Sequence, residues 1–172
     1  YPLPMGILVS TVVGMVLTLP ISSAAICISL GIDGLAAGAA VVGCSCQMIG
    51  FAVSSYKENK LGGLISQGLG TSMLQIPNIW NNPLIWLPPT LTAAILGPIS
   101  TMVFKMENNS AGAGMGTSGL VGQFNAVAVM GFEALPQIVL MHFILPAVIT
   151  LLISTWMRKK GWIKDGDMLL QK

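Results

Sequence analysis

The chain has 172 residues, of which 53% are hydrophobic and only 8% carry a charged side chain. Soluble domains carry roughly 25% charged residues, so an ordinary water-soluble domain is excluded and the length is better counted in membrane crossings of roughly 20 residues each. The net charge of +2 comes from clustered residues with no basic stripe of interleaved aromatics, a pattern that excludes nucleic acid as a partner.

The opening Tyr1-Pro2-Leu3-Pro4 has no initiator Met and no basic n-region. No signal peptide is expected, and the sequence reads as part of a longer chain. The first apolar segment runs from Leu3 to Leu30 and is broken near Pro20; Pro20-Ile21-Ser22-Ser23 predicts a kink inside a bundle. Asp33 sits at the following turn as a candidate N-cap. The second crossing spans Leu35 to Val53, where Gly34, Gly38 and Gly43 allow close helix approach. Cys27, Cys44 and Cys46 lie in apolar segments with no His or carboxylate spaced to complete a metal site, so they read as small packing residues. The third crossing spans Leu84 to Phe104 and the fourth Leu135 to Met157.

Lys57 and Lys60 follow the second crossing, and Arg158-Lys159-Lys160 with Lys164 follow the fourth. Cytoplasmic loops collect Lys and Arg. Both clusters agree on a multi-pass protein with a cytoplasmic C-terminus, with Lys105 outside. Trp80, Trp86, Trp156 and Trp162 fit interface anchors, or equally bundle-core residues.

Two stretches between the crossings nearly repeat: Gly68-Leu69-Gly70-Thr71-Ser72 and Gly114-Met115-Gly116-Thr117-Ser118. Each follows a Lys-Glu-Asn cluster and precedes a Gln and an Asn, Gln75 and Asn78 in one, Gln123 and Asn125 in the other. One crossing separates the copies, so they enter from opposite faces, the arrangement of inverted repeats with broken segments meeting near the bilayer midplane. Residues Leu61 to Asn82 are expected to dip in from the cytoplasm and Asn109 to Gly131 from outside. Thr71, Ser72, Gln75, Asn78, Thr117, Ser118, Gln123 and Asn125 then offer hydroxyls and amides, which both donate and accept hydrogen bonds and suit a neutral sugar; half-helix N–H groups would favour an anion instead. Ordinary Gly-rich helix contacts and loops are the alternative.

Glu133 precedes the fourth crossing and His142 lies within it. Glu133 is a candidate acceptor of sugar hydroxyls or a proton, or an interfacial carboxylate. His142 is a candidate solute or proton group, or a helix-contact histidine bonded to a neighbour. Glu107 reads as a solvated turn residue. No catalytic constellation emerges: there is one His, no G-x-S-x-G elbow and no phosphate-binding loop. No enzyme activity, cofactor or metal is expected.

Asn81-Asn82-Pro83, Gly97-Pro98, Lys105-Met106-Glu107-Asn108-Asn109, Gly112 to Gln123, His142-Phe143-Ile144-Leu145-Pro146 and Met157 to Lys164 together resemble the bacterial phosphotransferase-system EIIC-like membrane family, in the branch with perfringolysin-regulator-like proteins. Gly114-Met115-Gly116-Thr117-Ser118-Gly119-Leu120 is the most distinctive part. The resemblance implies an inner-membrane permease, a homodimer, that carries a sugar while separate IIA and IIB proteins phosphorylate it. The sugar-EIIC motif Gly-Ile-Thr-Glu-Pro is absent, so no role falls on Glu133 by motif. The expected fold is thus an all-α integral membrane protein: a single membrane domain over residues 1–172 with about four spanning helices and two opposed re-entrant hairpins, part of a larger EIIC-like bundle. A membrane sensor or regulator without transport, and an ion-conducting protein, are the alternative functions.

Overall fold

The structure, a computed structural model, describes residues 2–19, 23–70, 72–164 and 168. They are mostly helical, with no strand among the described residues and one isolated bridge between Gly34 and Asn108. The helices are α1 (Pro2–Thr18), α2 (Ser23–Leu30), α3 (Gly34–Ser54), α4 (Tyr56–Ile65), α5 (Ile76–Asn81), α6 (Leu87–Pro98), α7 (Ser110–Ala113), α8 (Val121–Met130), α9 (Leu135–Val139) and α10 (Leu145–Lys159). Short 3-10 and π turns join several of them into longer rods. Three rods are long and apolar enough to cross a membrane: Gly34–Ser54, Pro83–Phe104 and Phe132–Lys159. They coincide with the second, third and fourth predicted crossings. The last is extended to 28 residues.

The first predicted crossing is corrected. Instead of one kinked span, Leu3 to Leu30 forms α1 and the eight-residue α2, and α2 folds back along α1. Cys27 and Ile32 pack with Val9 and Val13, and the two helices share one apolar groove. Pro20, where the break was expected, lies outside the described residues. A folded-back pair and a single kinked span bury the same kinds of side chain, so an apolar count cannot separate them.

α3 is the axis of the bundle. Of its best apolar window 83% is buried, against 44% and 33% for the other two rods, as expected of a helix that is apolar all round. α1 runs parallel to it, with Ser10 against Gly43 and Thr18 bonded to Gln47. The two backbones touch so closely that a Cβ on Gly43 would overlap the Ser10 carbonyl. α6 runs antiparallel to both: the Ser10 hydroxyl donates to the Ala93 carbonyl at 2.8 Å. α10 runs parallel to α3, with Thr150 beside Gly50 and its hydroxyl 2.8 Å from that of Thr92 on α6.

α3 and α10 therefore end together. There the Arg158 guanidinium bonds Glu58 at 2.8 Å and the Ser54 carbonyl at 3.0 Å. The two basic clusters inferred to share a face thus share one end of the bundle. Trp156 and Trp162, half exposed, meet edge to face there, and Trp80 is exposed. Trp86 instead turns inward. At the opposite end Asp33 occupies the N-cap position of α3 without a side-chain cap bond. The three cysteines are buried in apolar clusters.

The α1–α3 contact yields a stability test. Gly43→Val forces these backbones apart and is expected to lower the thermal unfolding midpoint in detergent, with a loss of about 1–3 kcal/mol, the usual range for overpacking. Gly62→Ala, where a Cβ meets nothing within 4 Å, is expected to leave the midpoint unchanged or raise it.

Candidate functional site: two tips meeting beside the middle of the central helix

The first Gly-Thr-Ser segment starts from the basic end. The chain runs along α4, through a π turn at Ser66–Gly70, past Thr71, and through a 3-10 turn at Ser72–Gln75 into α5. Thr71 lies outside the described residues. Gly68 lies beside Ile49 and Ala52 of α3. The Ser72 hydroxyl is 2.8 Å from that of Thr18, which donates to Gln47 Oε1 at 3.2 Å. The segment then returns: Ile79 joins a cluster with Phe51, Met157 and Ile163, and the Asn82 amide reaches the Trp162 carbonyl.

The second segment starts from the opposite end, where Asn108 bridges to Gly34 at the start of α3. It descends to Gly116, which sits against Cys44 and Ser45 of α3 with φ +54. A side chain there would meet both left-handed strain and the α3 backbone, so the tip requires glycine. The chain climbs back along α8, with Gly122 against Val41 and the Glu107 N–H donating to Met130 Sδ at 3.3 Å. The two tips touch. The Thr117 hydroxyl of the second donates to the Gly68 carbonyl of the first at 2.5 Å, beside the middle of α3.

Of the residues singled out in sequence, Ser72 and Thr117 lie at this junction, both fully buried, and Ser118 is half-buried next to it. Gln75 and Asn78 lie in the stem of the first hairpin. Gln75 donates to Gln67 Oε1 at 2.7 Å and to the Met168 carbonyl at 3.0 Å, and accepts from the Asn78 amide at 2.9 Å. Asn125 is in the stem of the second, accepting from Asn109 at 2.8 Å. Glu133 is exposed, in the turn after α8, and is not brought to the junction.

Gln123 and His142 form a pair of their own. Gln123 Nε2 is 2.8 Å from His142 Nδ1, and both residues are buried. Gln123 Oε1 and His142 Nε2 have no hydrogen-bond partner among the described residues. His142 lies in a π turn, Leu140–Ile144, just ahead of Pro146. A proline there has no N–H for the His142 carbonyl, and such turns are frequent at functional sites. The pair leaves one buried donor and one buried acceptor open, whichever way the amide and tautomer are assigned.

Sequence reasoning missed Gln47. Its Oε1 accepts from Thr18 and, at 2.9 Å, from Trp86 Nε1–H; its Nε2 donates at 3.1 Å to Thr90, whose hydroxyl donates on to the Trp86 carbonyl at 2.7 Å. A carboxamide in the middle of a 21-residue apolar helix was the available signal, because such a group needs internal partners. Around the junction the chemistry is hydroxyl, carboxamide and backbone carbonyl. Among the described residues no group of three His, Cys, Asp or Glu could hold a metal. Such a surface can hydrogen-bond a neutral polar molecule.

No curated protein and no solved structure matches the chain. A family model described as phosphotransferase system, EIIC, matches residues 1–170. With an all-helical bundle carrying three span-length apolar rods, and a family match over nearly its whole length, the chain belongs to the phosphotransferase-system EIIC family, the membrane transport component of that system.

Proposed function

We propose that the chain binds a polar, uncharged solute, a sugar, where the two opposed hairpin tips meet, and releases it to alternate sides as one tip withdraws from the other. The contact between Thr117 and Gly68 carries this reading. It joins two segments that enter from opposite ends of α3, so moving either one opens the junction toward one side only. The tips are packed shut, with Thr117 and Ser72 fully buried, which corresponds to a closed state. On opening, Thr71, Ser72, Thr117 and Ser118 supply hydroxyls. Gln123 and His142 supply the unused acceptor and donor that one sugar hydroxyl can satisfy together. Gln75, Asn78 and Asn125 hold the stems, and Glu133 is assigned the mouth of the second hairpin.

The basic end, with Lys57, Lys60 and Arg158 to Lys160, faces the cytoplasm of a bacterial inner membrane, which places the C-terminus inside. The chain works as a homodimer, and phosphorylation of the solute belongs to separate IIA and IIB proteins.

Vesicles containing the chain and its phosphotransferase partners test the reading by accumulation of labelled sugar. Accumulation that depends on the chain is expected; solute-dependent gene expression without accumulation would establish a sensor instead. Thr117→Val removes one hydrogen bond at the junction, and a roughly threefold to tenfold loss of apparent solute affinity is expected. Unchanged affinity in a folded variant removes the junction as the site. His142→Leu is expected to weaken binding by about tenfold with His142→Gln retaining more, because the glutamine keeps a polar end toward the solute. Equal losses in both variants would count against a solute contact.

A further inference from the structure

The basic end of the bundle holds a second feature, a cavity of about 630 Å3 between α3, α4 and α10. That volume is within the roughly 300–1,000 Å3 range of ligand sites. Its walls include Val53, Leu64 and Leu151, and Lys57 and Lys159 also line it. Arg158 borders it too, already engaged with Glu58 and the Ser54 carbonyl. Lys57 and Lys159 are exposed, and no acidic side chain pairs with either among the described residues. Ser154 also lines the cavity. It is only 1% exposed, and its hydroxyl has no hydrogen-bond partner among the described residues.

The lining thus combines a mainly apolar wall, two cations and one unused buried hydroxyl. A sugar or nucleotide would leave the apolar wall unmatched, and a neutral lipid would leave the lysines unmatched. The cavity also lies at the ends of two spanning rods, the depth at which lipid headgroups meet protein, and basic pockets between spanning helices at that depth suit acidic headgroups. We infer that this cavity seats an anionic phospholipid, its acyl chain along Val53, Leu64 and Leu151 and its phosphate at Lys57 and Lys159. The Ser154 hydroxyl donates to an ester or phosphate oxygen. The lipid would sit against the Glu58–Arg158 bridge, which ties the first hairpin to α10.

The test uses the purified chain in detergent, titrated with phosphatidylglycerol or with phosphatidylcholine of the same acyl chains, and read by native mass spectrometry and thermal melting. One phosphatidylglycerol per chain is expected to remain bound and raise the melting temperature, with phosphatidylcholine weaker. Lys57→Ala and Lys159→Ala are each expected to lower phosphatidylglycerol affinity roughly fivefold. Lys160→Ala, at the same end but outside the lining, is expected to leave it within about twofold. Equal binding of the two lipids, or an equal loss in Lys160→Ala, overturns the proposal in favour of diffuse attraction. Competition by glycerol phosphate at the same concentration as the lipid overturns it in favour of a free phosphate site. A Thr155→Cys variant that crosslinks between copies in bilayers, with undiminished yield when phosphatidylglycerol is added, assigns the cavity to a second copy and equally overturns it.

Discussion

Everything in this bundle depends on how closely other backbones approach α3. In a bilayer the hydrophobic effect does not draw helices together, because lipid tails are as apolar as leucine; association rests on packing and on interhelical hydrogen bonds. α3 meets that constraint by presenting small residues in several directions. α1 crosses at Gly43, and the chain leaving the Pro83–Phe104 rod crosses at Gly38, where a Cβ would strike the Met106 backbone. The same surface accepts the second tip at Cys44 and Ser45. Bulky side chains along α3 would separate these elements and leave the tips with nothing to rest on.

The tips themselves pose a second problem. Irregular backbone at membrane depth is tolerated only where protein or water satisfies its polar groups. Here protein does much of this work. Thr117 serves the Gly68 carbonyl, Ser23 the Gly114 carbonyl and the Asn108 amide the Gly122 carbonyl. Gln47 gathers Thr18, Trp86 and Thr90 around the middle of α3. The Gln123–His142 pair departs from this economy, with one polar atom of each residue left unserved among the described residues. A buried polar group without a partner carries a desolvation cost, and this pair carries it where α8 of the second hairpin packs against the Phe132–Lys159 rod.

Three of the four crossings were legible because apolar length and flanking charge are local properties. Gly34–Ser54, Pro83–Phe104 and Phe132–Lys159 each satisfy the length rule without reference to any neighbour. The paired Gly-Thr-Ser segments were legible for a similar reason: a run of small polar residues with little charge between long apolar runs marks a break in regular spanning helix. Leu3 to Leu30 was misread because its fold-back depends on the groove that α1 and α2 make together. Gln47 was passed over because its importance lies in three partners far away in sequence.

Sequence alone determined the class, the three span-length rods, the charged end and the two segments that leave regular helix, since each follows from the chemistry of a short window. Only the tertiary structure decided that α1 runs parallel to α3, that the two tips touch through Thr117 and Gly68, and that Gln123 pairs with His142 while Glu133 stands apart. These are contacts between residues far apart in the chain, 19 positions for Gln123 with His142, 49 for Thr117 with Gly68 and 83 for Ser10 with Ala93. They are set by which surfaces pack at the smallest separation, a property of the assembled bundle that no single stretch of chain carries.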